Sequence, residues 1–245
     1  MPHTSFVIVA AGMLAEARIA GRDPCVRAIA GGGDHTFLGR AIEGVLDSNA
    51  VGILSFGIAG GLAPDAKPGD IVIASGVAAN GKVWKTDSDW SARLAGALPH
   101  AQRGLMAGSD IPVAGVAGKA ALLIATGAIA VDMESHIAAR IAAAHDLPFA
   151  ILRVVADAAS RDLPPAALAG LSPGGAINIA AVLKSLARQP SQLPALLAVS
   201  ADARTAMSAL LGSFRAVNSV LGPRLGCPRL GCPGFSARLG TTDLG

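Results

Sequence analysis

The sequence predicts an α/β domain with a central mixed, largely parallel sheet flanked by helices, and a helical C-terminal extension. Three observations carry this. Short apolar runs alternate with segments of helical periodicity through the first two thirds of the chain. The runs hold almost no charge, as strands buried on both faces do. Beyond residue 180 no strand pattern recurs, and one apolar stripe repeats at helical spacing.

The elements follow in order. Residues 5–10 form a β-branched run, read as a buried strand, and 14–20 are helical. A second strand at 26–30 ends in Gly31-Gly32-Gly33-Asp34. Residues 36–49 carry Phe37, Leu38, Ala41, Ile42, Val45 and Leu46 at helical spacing. Strands are expected at 52–58, leading into Ala59-Gly60-Gly61, and at 70–78 after the turn Lys67-Pro68-Gly69. A helix at 90–98, a strand at 103–107, a strand at 128–132 running into a helix at 133–145, and a strand at 149–156 complete the pattern. In the tail, Leu196, Val199, Ala203, Met207, Leu210, Phe214, Val217 and Leu221 make one stripe on a long helix, with Gly212 as a candidate break. That helix either docks on the sheet or serves as a membrane-surface or partner-binding helix. The expected division is an α/β domain over 1–190, a helical segment over 191–221 and a low-complexity, disordered extension over 222–245, where Leu-Gly-Pro-Arg repeats with variations.

Composition removes several classes. The chain of 245 residues is 52% hydrophobic and 15% charged, which excludes disorder. Three cysteines are too few for a disulfide scaffold, and Cys227 and Cys232 lack a partner pair for a metal. The net charge of +3 is scattered, with no basic run and no interleaved aromatics, so no nucleic acid is expected. Met1-Pro2-His3-Thr4 lacks a basic leader, and the longest uncharged stretch, 163–183, is interrupted by Pro and Gly. A soluble cytoplasmic protein follows as the expectation. Glutamate is scarce: 51 alanines stand against three glutamates, Glu16, Glu43 and Glu134.

The chemistry-bearing residues gather at strand C-termini, where open α/β sheets bind ligands. Gly31 to Gly33 and the 57–61 turn could cradle an anion with backbone N–H groups, although neither fits a dinucleotide or P-loop pattern; the plain alternative is a pair of tight βα turns. His35 is a candidate phosphate or substrate contact. Glu16 follows the first strand, Asp132-Met133-Glu134 sits where a strand becomes a helix, and Asp157 follows the last strong strand. Singly, Asp157 also fits an N-cap and Glu134 a first-turn dipole partner. Asp132, Glu134 and His136 on a helix would fan out over about 200°, so no metal triad is expected. No G-x-S-x-G elbow is present.

Phe56-Gly-Ile-Ala-Gly-Gly-Leu-Ala-Pro64, Gly69-Asp-Ile-Val72, Val131-Asp-Met-Glu134 and Arg153-Val-Val-Ala-Asp157 resemble the nucleoside phosphorylase/nucleosidase superfamily over residues 5–190. Val131-Asp-Met-Glu-Ser-His136 looks most like its hopanoid-associated branch, thought to release adenine from adenosylhopane. The resemblance implies a single-domain phosphorylase-like fold and N-glycosidic cleavage that releases adenine from a 5′-substituted adenosine, with adenosylhopane and phosphorolysis as the expectation; hydrolysis, as in the methylthioadenosine/S-adenosylhomocysteine nucleosidases, is the alternative. A non-catalytic nucleoside- or lipid-binding module is the reading from another class.

By position, the resemblance makes Asp157 the acid or hydrogen-bond partner of purine N7, with burial raising its pKa. It puts Met133 under the ribose and Glu134 on the 2′-hydroxyl. Glu16, three residues after Met13, falls near an attacking water. Asp132, Ile111 and Val113 are expected at the substrate, and Gly31, Gly32, Gly33, His35 and Gly57 at phosphate. Two departures are Ala156, where nucleosidases usually have Ser, and Ile58 before Ala-Gly-Gly. No cofactor is implied beyond inorganic phosphate as possible co-substrate. The implied partners are a small-molecule or lipid-linked nucleoside, a membrane surface touched peripherally, and further copies of the chain in a homo-oligomer.

Overall fold

Alternation along the first strand explains the layers. In β1 (Phe6–Ala11), Phe6, Ile8 and Ala10 face one side of the sheet, Val7 and Val9 the other, and all are buried. The computed structural model describes residues 5–170 and 175–222. Eight strands form one mixed sheet: β1, β2 (Val26–Ala30), β3 (Ala50–Gly61), β4 (Ile71–Ala79), β5 (Lys82–Lys85), β6 (Gln102–Gly108), β7 (Ala130–Asp132) and β8 (Phe149–Asp157). The order β2-β1-β3-β7-β6-β4-β5 is closed by β8, which pairs in parallel with β3 and antiparallel with β4. The ring β3-β8-β4-β6-β7 is therefore a small barrel, with β1 and β2 extending from it. Periodicity along the chain cannot show that closure, because it depends on which strands meet.

Helices cover both faces. On one side α2 (His35–Val45) and α5 (Ser135–Ala144) bring Leu38, Ile42, Ile137 and Ile141 onto Ile8, Ile53 and Ile151. On the other, α1 (Leu14–Ala20), α3 (Ser88–Ala97) and α8 (Leu193–Val217) pack Ile19, Trp90, Leu94, Leu210 and Phe214 on Val9, Leu54, Phe56 and Leu152. Phe214 meets Phe56 edge-on at 5.6 Å. Three helices complete the fold: α4 (Val116–Thr126), α6 (Pro165–Ala169) and α7 (Ile179–Arg188).

The tail stripe is a docked helix. Ala206, Leu210, Phe214 and Val217 are buried, while Leu193 and Leu197 at its start are exposed. Gly212 does not break it, since it faces open space while buried residues on both sides hold the helix. No helix among the described residues is long and apolar enough to cross a membrane. The low-complexity stretch from 223 onward lies outside the described residues.

Candidate active site

The C-terminal ends of β1, β3, β7 and β8 converge on one cavity of about 200 Å³. Gly12, Met13, Glu16, Gly32, Gly33, Ile111, Val113, Asp132, Met133, Glu134 and Asp157 all line it. Three of the sequence-derived candidates do not. Gly31 packs against Leu38, Gly57 against Glu16 and Arg153, and His35 turns its Nδ1 to Asp110 at 3.5 Å.

Glu16 is held at the start of α1 by the backbone. Its Oε2 accepts from the N–H groups of Gly12 and Met13, each at 2.8 Å, and its Oε1 from that of Ile58 at 2.9 Å. Burial nevertheless pushes its pKa up, against the pull of Arg153 and those three donors.

Arg153 organises the acids. It is wholly buried within β8. Its Nε lies 2.8 Å from Asp132 Oδ2 and its Nη1 3.3 Å from Glu134 Oε2, while its Nη2 donates to Ser55 Oγ at 2.6 Å. Asp132 is further engaged by Ser135, whose N–H donates to Oδ1 at 3.0 Å and whose hydroxyl donates to Oδ2. One cation thus stands among Glu16, Asp132 and Glu134. Burial and the two neighbouring carboxylates raise Glu134 to about 7 despite Arg153.

Backbone geometry makes room for this packing. Gly57 has φ +154°, and a Cβ there would lie 2.7 Å from Glu16 Cδ and 2.8 Å from Arg153 Nη1. A Cβ on Gly12 would lie 2.9 Å from Glu134 Oε1. Both glycines let carboxylates approach the backbone closely.

Asp157 stands apart from these acids on the cavity wall. The β3–β8 register shifts between Ala59 and Gly60, which brings Asp157 opposite Gly60. Burial raises its pKa, as the sequence led us to expect, and Lys119 of α4 opposes that rise.

The glycine turn is less open to an anion than its sequence suggests. Gly32 and Gly33 have φ of +63° and +77°. The N–H groups of Gly31 and Gly32 already donate to the carbonyls of Ala11 and Gly12, each at 2.8 Å. The N-terminus of α2 is capped by Asp34, whose carboxylate accepts from Phe37 N–H at 2.8 Å. No Lys, Arg or His is among the described residues that line the cavity. Among the described residues, no three His, Cys, Asp or Glu side chains are arranged to hold a metal ion.

The family model of the phosphorylase superfamily matches residues 34–188, more than half of the chain. The chain belongs to the phosphorylase superfamily. A search of curated proteins gives no significant match. Among solved structures, the futalosine hydrolase of Helicobacter pylori is similar with a TM-score of 0.63 at 14% identity, covering 88% of this chain and 98% of that one. The Streptococcus pneumoniae methylthioadenosine/S-adenosylhomocysteine nucleosidase in complex with 8-aminoadenine gives 0.59 at 18% identity, covering 86% and 99%. The Helicobacter pylori nucleosidase of the same type gives 0.58 at 16% identity, covering 86% and 98%. At these identities the likeness is one of fold.

Two residues of this phosphorylase-superfamily site went unassigned in the sequence reading. Arg153 was visible as the one charge inside an apolar strand. Lys119 was visible as the one charge in an apolar run punctuated by Gly115 and Gly127. A lone base in such a run is a sign of a buried partner.

Proposed function

We propose that this enzyme releases adenine from a 5′-substituted adenosine by cleaving its N-glycosidic bond. The observation that carries the reading is the placement of Asp157 with Glu16 and Glu134 around one cavity. A purine leaving C1′ takes up an electron pair and needs a proton, and the ribosyl group left behind develops positive charge. Asp157, its pKa raised by burial, is suited to give that proton to N7. Glu134, next to Met133, is suited to hold the ribose hydroxyls and to offset the developing charge.

Water is the better-supported nucleophile. Glu16 reaches the cavity, and burial raises its pKa, which makes it a stronger general base than a solvated carboxylate. In that role it takes the proton of the water that attacks C1′. The engaged N–H groups of Gly31 and Gly32, and the carboxylate of Asp34 at the α2 terminus, weigh against a phosphate cradle there. Phosphorolysis remains the second reading, favoured by the family's composition and by the left-handed turn at Gly32 and Gly33.

The cavity also has an apolar lining. Ile111, Pro112, Val113, Leu163 and Ile177 contribute to it, with Ile111 71% and Ile177 67% exposed. That wall supports an apolar 5′ group, for which adenosylhopane is one fit. The test is adenine release from adenosines of increasing 5′ apolar size, each with and without phosphate. We expect kcat/KM to rise with apolar size and to persist without phosphate. Strict phosphate dependence would favour phosphorolysis, and no adenine from any of them would defeat the proposal.

A further inference from the structure

Lys119 is the one charged residue of α4, and its side chain is completely buried. Its Nζ reaches three acceptors. One is Asp157 Oδ2, and the others are the carbonyl oxygens of Ala158 and Arg161, each at 2.9 Å. An ammonium has three N–H donors and no acceptor, so this set satisfies it fully. A buried ammonium persists only when paired in this way.

The arrangement does two things to Asp157. It ties Oδ2, and the chain immediately beyond β8, to α4. It leaves Oδ1 without a donor among the described residues, on the side chain that lines the cavity. Charge also matters. Around Asp157 stand Lys119 from α4, Arg161 from the loop after β8 and Asp202 from α8. Asp162 caps α4 through Val116 N–H, and Glu16, Asp132 and Glu134 line the same cavity. Arg161 and Asp202 pair with each other at 3.0 Å and largely cancel, which leaves Lys119 as the charge in direct contact.

We propose that Lys119 is a positioning residue for Asp157: it pins Oδ2 so that Oδ1 addresses the departing base, and it stabilises the carboxylate left after proton transfer. This rests on the reading of the site given above. In the step, the Oδ1–H bond breaks and its proton forms N7–H while the C1′–N9 electron pair passes to the purine. Lys119 keeps its three protons throughout, and solvent returns one to Asp157 after the base leaves.

The test uses Lys119→Met, which keeps the bulk of the stem, and Lys119→Arg, which keeps the charge. The readouts are kcat and KM for adenine release over about pH 5 to 9, and the titration of Asp157 followed by carboxyl-carbon NMR. The Asp157 signal is identified by its loss in Asp157→Asn. The acid must be protonated to act, so activity falls as pH rises through its pKa. Removing the neighbouring cation raises that pKa. In Lys119→Met the alkaline limb and the NMR midpoint therefore both move up by about 1 to 3 pH units, and kcat falls about tenfold or more while KM changes less. In Lys119→Arg both stay at the wild-type pH. An unmoved midpoint in Lys119→Met, or an equal shift in Lys119→Arg, overturns the proposal. Should Lys119→Met not fold, Lys119→Gln, neutral and able to hydrogen-bond, takes its place with the same expected shift and the same refuting result. A wild-type protein that releases no adenine defeats the reading of the site instead, and the NMR midpoints still judge the lysine.

Discussion

Replacing Arg153 by Met removes the cation from the acid cluster while keeping most of the side-chain volume. Its guanidinium lies 2.8 Å from Asp132 and 3.3 Å from Glu134, and no part of it meets solvent. At an effective dielectric of 20, such pairs are worth about 5 to 6 kcal/mol each, gross, and the cost of desolvating three ions offsets much of it. Removing one partner of a buried pair costs about 3–5 kcal/mol, because the other charge stays buried alone. We expect a loss of that size at pH 8, measured by urea unfolding, against a total of about 5–15 kcal/mol for a typical domain. The pH dependence has a definite sign. Without Arg153, the folded-state pKa values of Glu134 and Glu16 rise further above their unfolded values. The variant therefore binds more protons when folded and recovers stability as pH falls. A deficit below about 1 kcal/mol at pH 8, or one that grows between pH 8 and pH 5, would refute the cluster's role.

Further outcomes follow from the same geometry. Folding favours neutral Glu134, which is raised from 4.5 to about 7. Its contribution is complete below the unfolded pKa and is lost as pH rises through the folded one. Glu134→Gln should match wild type at about pH 4 and exceed it at pH 8 by up to about 3 kcal/mol; a wild-type pH profile in the variant contradicts this. Gly57→Ala should lose about 1–3 kcal/mol by overpacking against Glu16 and Arg153. Gly96→Ala on α3, with nothing within 4 Å of the added Cβ, should gain up to about 1 kcal/mol. Equal melting shifts in the two would contradict the close approach at Gly57.

Much of this was legible because buried parallel strands read as apolar runs. The strand at 26–30 and the helix at 14–20 were read to the residue. The start of β8 was also read, and its end fell one residue early. α4 was not assigned, because a run of Val, Ala, Leu and Ile has no polar face to set its period. β5 escaped as a four-residue edge strand between lysines, Lys82 and Lys85. In the site, scarcity made Glu16 and Glu134 stand out. The ion-pair partners of Arg153 and Lys119 lie about 20 to 40 residues away in sequence, so only the fold reveals them. Gly57 was grouped with phosphate because it opens a Gly-rich turn; in the fold it gives space to Glu16 and Arg153.

The most direct test is chromatographic detection of free adenine after incubation with 5′-methylthioadenosine in phosphate-free buffer, for wild type and Asp157→Asn side by side. The account predicts adenine from the wild type and a loss of about a hundredfold or more in the variant, with its melting temperature preserved. Equal adenine release from the two proteins would contradict it.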